Sequence, residues 1–129
     1  MVNQKTAVAL TGRSGEELEE YKKLLLKLNN EVVAAAPEDL LINTHVCRGN
    51  YHSTFFSSGA YDSVAELLFG EENVNAYYLE YDDERSGGFA PLAKVTGDKK
   101  VVLGLVTTKT PELEDREKVI NRIHQAAKY

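Results

Sequence analysis

Leu40-Leu41-Ile42-Asn43-Thr44-His45-Val46-Cys47 leads into Arg48-Gly49-Asn50, and the architecture follows from this run. An apolar, β-prone segment that ends in a charge, a glycine and an amide reads as a strand feeding a loop. Two later segments repeat the pattern. Asn75-Ala76-Tyr77-Tyr78-Leu79-Glu80 is a second strand, running into the polar stretch Tyr81–Gly88. Lys100–Thr107 (KVVLGLVT) is a third, and its lack of alternation predicts burial on both faces.

Around these strands the hydrophobic period lengthens to that of helices. Ser14 and Glu17 form the Ser-x-x-Glu of a capping box, and Leu18, Tyr21, Leu25, Leu28 and Val32 follow at three- and four-residue spacing. A helix from about Gly15 to Ala35 is expected, ended by Pro37 because the residue before a proline avoids helical angles. A second capping box, Ser63 and Glu66, precedes Val64, Leu67 and Leu68, with Gly70 as the stop. A short helix is expected near Phe89–Leu92. The last helix starts at Thr110 with Pro111 in its first position and carries Leu113, Val119, Ile120, Ile123 and Ala127. Residues 50–60 (NYHSTFFSSGA) have no period and read as a long functional loop. For residues 1–13 the expectation is a poorly ordered opening.

Strands alternating with helices argue for an α/β fold of parallel βα units, with function gathered at the carboxyl ends of the strands, as in a TIM (β/α)8 barrel. Such a barrel needs eight strands and usually at least ~200 residues. A chain of 129 residues with about three such strands is therefore read as one domain, 1–129, forming part of a barrel. Fifteen Lys and Arg against twenty Asp and Glu give a net charge of −5. That balance lacks the basic footprint of a nucleic-acid binder. A single cysteine excludes an internal disulfide framework and fits a reducing cytoplasm. No apolar run reaches membrane-spanning length, and no secretory signal is expected at the start.

His45 and Cys47 are two apart on a strand, so their side chains point the same way, with Asn43. Leu40, Ile42, Thr44 and Val46 point oppositely, into a helix layer. An imidazole and a thiolate converging at a strand end suit Zn²⁺. The alternative is a small buried cysteine beside a satisfied polar histidine. Glu80 holds the corresponding end of the next strand, sharing its face with Ala76 and Tyr78, and completes a His/Cys/Glu set or simply opens a solvated acidic loop. Arg48 and Asn50 are candidates for substrate contact or for closing the loop. Asp82, Asp83, Glu84 and Arg85 read as a charge network bracing the second loop, with Asp82 or Asp83 as partners for a ligating histidine. His52 and His124 read as structural.

Thr44-His45-Val46-Cys47-Arg48-Gly49-Asn50, together with Tyr78-Leu79-Glu80-Tyr81-Asp82-Asp83-Glu84-Arg85-Ser86-Gly87, resembles the catalytic barrel of cobalamin-independent methionine synthases, above all its short single-barrel bacterial relatives. The resemblance covers about residues 16–129. It implies a TIM barrel in which a His-x-Cys pair, a glutamate and a second cysteine hold zinc, and zinc activates homocysteine for methyl transfer from methyltetrahydrofolate. Carried over, the zinc ligands here are His45, Cys47 and Glu80. The second cysteine has no counterpart, because Cys47 is the only cysteine. The implied piece is the last part of a barrel without its final strand, either a fragment of a longer zinc-dependent S-methyltransferase or a truncated product. The alternatives are a non-catalytic paralogue, or a relative with another methyl donor or thiol acceptor. Alone the chain is expected to be inactive, because holding donor and acceptor in attack geometry supplies about 7–11 kcal/mol and most positioning residues are missing. Open sheet edges further predict a homo-oligomer or association with the missing barrel segments.

Overall fold

A computed structural model describes residues 4–129. The order is α1 (Gln4–Thr11), α2 (Gly15–Ala34), β1 (Asn43–Val46), β2 (Ala76–Glu80), β3 (Lys100–Gly104) and α3 (Arg116–Ala126). The strands form one sheet in the order β1-β2-β3, all parallel, with His45 opposite Tyr78 and Glu80 opposite Gly104. The expected parallel α/β order is what the chain adopts. Of residues 1–13, for which a poorly ordered opening is expected, 1–3 lie outside the described residues and Gln4–Thr11 form α1, with Ala7 buried.

Among the described residues the core packs against one face of the sheet. Ile42 and Val46 of the β1 segment, Tyr77 and Leu79 of β2, and Val101 and Leu103 of β3 turn toward the core. There they meet a run of aromatic rings: Phe89–Tyr81 at 4.8 Å, Tyr81–Tyr61 at 5.0 Å, Tyr61–Phe69 at 5.7 Å and Phe69–Tyr77 at 5.3 Å between centroids. Offset and edge-on contacts of this kind add about 0.5–1.5 kcal/mol each beyond burial. Tyr77 Oη donates to Leu68 O, which satisfies the one polar atom its ring brings inside.

The opposite face is open. Tyr78 and Val102 are about half-exposed, and Val106 beyond β3 is 61% exposed. β3 is therefore not buried on both faces, contrary to the expectation from its composition. Its unbroken apolar run records what its residue types tolerate, whereas burial depends on a second layer that the described residues do not supply.

Three helical expectations change in register or extent. The buried seam of α2 is Leu18 and Lys22, with Val33 partly buried against the core, while Leu28 and Val32 face out. Polar bonds set this rotation. Lys22 Nζ donates to Ser63 O (3.3 Å) and Glu19 (2.8 Å), Asn29 to Glu72 (3.3 Å), and Asn30 to Glu71 O (2.9 Å). Ser14 does occupy the N-cap, but its side chain makes no capping bond. Gly15 enters at φ 54°, outside the right-handed region that a capping box requires. Tyr61–Ser63 forms a 3₁₀ turn, and the segment after it is one wide π turn, Glu66–Glu71, that runs through Gly70 instead of stopping there.

The last helix starts later than Thr110. Glu114 Oε1 accepts from Thr107 N at 2.7 Å and ties 107–114 back as a loop. Asp115 then caps α3, accepting from Lys118 N at 2.9 Å. A 3₁₀ turn at Ala90–Lys94 fills the place expected for a short helix.

Candidate functional site

Because β1 and β2 are parallel and in register, alternation alone delivers Asn43 and His45 to the open face, with Ala76, Tyr78 and Glu80 beside them. Cys47, one residue beyond β1, stands level with Glu80 by continuation of that register. His45, Cys47, Asn50, Tyr78, Glu80, Asp82 and Lys109 line one cavity of about 240 Å³ at the carboxyl ends of the strands. His45 and Cys47 are exposed, and Cys47 Sγ accepts a hydrogen bond from Gly49 N at 3.1 Å. His45, Cys47 and Glu80 thus all line this one cavity.

Glu80 is not free. Its Oε2 accepts from Arg48 N, and its Oε1 from Arg85 Nη2 (3.3 Å) and Lys109 Nζ (3.2 Å). Asp82, the more buried of the two carboxylates, accepts from Lys109 at 2.7 Å and lies 3.5 Å from Arg85. Arg85 is further held by Asp83 at 2.6 Å and lies over the Phe55 ring at 4.0 Å. Burial pushes the Asp82 carboxyl up, but hydrogen bonds from Lys109 and Thr107, and the charges of Lys109 and Arg85, outweigh it and hold Asp82 below the ordinary range. Burial pulls Lys109 down, yet the same two carboxylates raise it overall. Of the network expected at 82–85, Asp82, Asp83 and Arg85 are joined by ion pairs while Glu84 has no ion pair among the described residues, and Glu80 and Lys109, the latter missed by the sequence reading, complete it. Asp82 and Asp83 bond to these cations, and neither is hydrogen-bonded to His45. Lys109 lies 29 residues beyond Glu80 with no motif around it, so no local signal marked it.

Arg48 is 1% exposed. Its guanidinium donates to Gly59 O from Nε (2.9 Å) and Nη2 (2.5 Å), to Glu80 O (3.0 Å) and to Tyr61 Oη (3.2 Å), and it sits 4.5 Å over the Tyr61 ring. Of its two expected roles, loop closure is the one its contacts serve. Asn50 reaches Thr108 Oγ1 at 2.7 Å across the cavity rim. His52, at φ 48°, sits in a tight turn where Tyr51 and Thr54 exchange backbone hydrogen bonds.

The donor set is the mixed nitrogen, sulfur and oxygen set that suits Zn²⁺. Glu80 is engaged by three donors, and among the described residues no group of three or more His, Cys, Asp or Glu side chains is placed to hold a metal ion. No helix of the described residues is long and apolar enough to cross a membrane.

The chain is 45% identical over 116 residues to the uncharacterized protein YxjG of Bacillus subtilis (strain 168), an alignment covering 89% of this chain and 31% of YxjG. It is 46% identical over 116 residues to the uncharacterized protein YxjH of the same organism, with the same coverage. The chain spans about a third of each. No family model and no solved structure matches it.

Proposed function

We propose that this chain is a piece of a zinc-dependent S-methyltransferase barrel of the cobalamin-independent methionine synthase type, with His45, Cys47 and Glu80 as its share of the zinc ligands. One observation carries the reading: two adjacent parallel strands deliver these three side chains to one cavity at their carboxyl ends. In a (β/α)8 barrel that is the catalytic end. The one-sided packing also supports it, because parallel sheets are ordinarily covered on both faces. An open face carrying His45, Tyr78 and Val102 is the natural interior of a barrel closed by further strands. The relatives are long enough to supply them, since this chain spans 31% of their length.

In this reading His45 and Cys47 present nitrogen and sulfur from β1, and Glu80 adds a carboxylate from β2. Arg48 fixes the loop between them by donating to Gly59 O and Glu80 O. Arg85 and Lys109 neutralise the buried carboxylates of Glu80 and Asp82. Zinc, when bound, would supply the Lewis acidity that keeps a thiol acceptor such as homocysteine deprotonated near neutral pH, where a free thiol near pKa ~8.5 is mostly protonated. Methyltetrahydrofolate is the donor that the resemblance implies.

Metal analysis of protein purified without chelator tests the assignment. Zinc should copurify with the wild type and be lost from the His45→Ala, Cys47→Ser double variant. Equal zinc in both proteins would overturn it.

A further inference from the structure

We infer that the crevice between α2 and the turn Glu66–Glu71 is a binding site for a small aliphatic ammonium ion, with the buried carboxylate of Glu72 as its anchor. The site lies in the helix layer and shares no lining residue with the cavity at the carboxyl ends of the strands. It does not depend on the reading of that cavity.

Glu72 is 2% exposed, and its two oxygens are served unequally. Oε1 accepts from Asn29 Nδ2 at 3.3 Å, whereas Oε2 is buried and has no donor among the described residues. A buried acceptor left unpaired is costly, the more so on a carboxylate. The two lysines close by are committed elsewhere. Lys22 Nζ donates to Glu19 and Ser63 O. Lys99 Nζ, which feels the Glu72 charge, donates to Phe69 O (3.0 Å) and Thr96 Oγ1 (3.2 Å). Residue 72 is also held in place. Asn30 clamps it from both sides, Nδ2 donating to Glu71 O at 2.9 Å and Oδ1 accepting from Asn73 N at 2.8 Å. An anchor fixed before the ligand arrives loses little freedom on binding.

Glu72 lines a cavity of about 160 Å³ in which Leu25, Leu26 and Asn29 of α2 face Val64 and Leu67. That volume is several times the ~30 Å³ share of one water, and aliphatic walls offer a water few of the partners it needs. Leu25, Leu26 and Leu67 are only partly buried, so rotamer changes open the way to Oε2. The complementary occupant has a donor for Oε2 and a short apolar body for the leucines. A positive charge on the donor strengthens its bond to a carboxylate, which selects an alkylammonium over an alcohol. Lys22 also lines the cavity, but it stands seven residues before Asn29, about 10 Å along the helix. An ammonium at Glu72 is therefore spared close contact with the Lys22 charge.

The test is titration with n-butylammonium chloride, followed by ¹⁵N–¹H correlation spectra at fixed ionic strength, with n-butanol and butyrate as the neutral and anionic matches. Saturable shifts should gather in residues 22–30 and 64–73. Butanol and butyrate should bind about tenfold or more weakly, the scale of a hydrogen bond to a charged group. Glu72→Gln, which keeps the shape and removes the charge, should weaken butylammonium binding by about the same factor. Leu67→Phe, which fills the crevice and leaves Glu72 untouched, should weaken it too. Equal affinity for butanol, unchanged binding by either variant, or shifts gathered instead at the acidic residues 80–84 overturns the inference, as does the absence of saturable shifts. If Glu72→Gln does not fold, Leu67→Phe decides on the same criterion, and the preference for butylammonium over butanol in the wild type needs neither variant.

Discussion

Replacing Arg48 with methionine removes the guanidinium that joins the loop after β1 to the end of β2, while filling most of its volume with an apolar chain. Gly59 O loses both its donors, at 2.9 and 2.5 Å. Glu80 O fares better, because Tyr61 Oη still donates to it at 3.1 Å. One orphaned buried acceptor costs about 1–3 kcal/mol. Loss of the cation from the Tyr61 face adds about 0.5–2 kcal/mol. Methionine avoids a large cavity, so the sum is about 3 kcal/mol. Domains are typically stable by only about 5–15 kcal/mol, so a loss of that size is easily resolved. Urea unfolding followed by circular dichroism measures it, and amide exchange over residues 49–60 localises it. The fall in stability should come with faster exchange in that loop, where Phe56 N and Ser57 N both donate to Arg48 O. A loss below about 1 kcal/mol, with the loop as protected as before, would refute the view that Arg48 is the loop's brace.

Gly87 has φ 72°, and a Cβ there would lie 2.4 Å from the Ala60 Cβ, so Gly87→Ala should cost about 2–4 kcal/mol from strain and overpacking. Gly97, at φ 67° with open space around it, is the control, and Gly97→Ala should lose only about 1 kcal/mol in the same urea measurement. Acid stability tests the buried charge network. Asp82 titrates below its ordinary value when folded, so the unfolded chain takes up the proton first as pH falls. Its stabilisation is complete above about pH 4 and is lost as pH drops through the folded pKa. Lys109 is raised, so its contribution is complete below about pH 10 and is lost only as pH climbs through its folded pKa. Asp82→Asn should therefore show a shallower acid limb than wild type, and superimposable limbs would contradict the assignment.

Alternation placed His45 and Cys47 on one face of β1, and Tyr78 and Glu80 on one face of β2, before any coordinates, because a strand's two-residue period is local geometry. The long second helix was legible for the same reason: its Gly15–Ala34 span follows from periodicity and the proline beyond it. Its rotation was not. The choice between a seam through Leu28 and Val32 and one through Lys22 and Val33 depended on whether Ser63 O and Glu71 O were nearby to receive Lys22 and Asn30. Those acceptors lie 41 residues along the chain from their donors. The start of the last helix moved likewise, because Glu114 closed a loop onto Thr107.

The chain's residue order thus settled which side chains share a strand face, since covalent alternation needs no partner. Packing settled what those side chains do there. Burial, ion pairing and the engagement of Glu80 by Lys109 and Arg85 arise only when segments distant in sequence meet, and no local pattern encodes which cation reaches a given carboxylate.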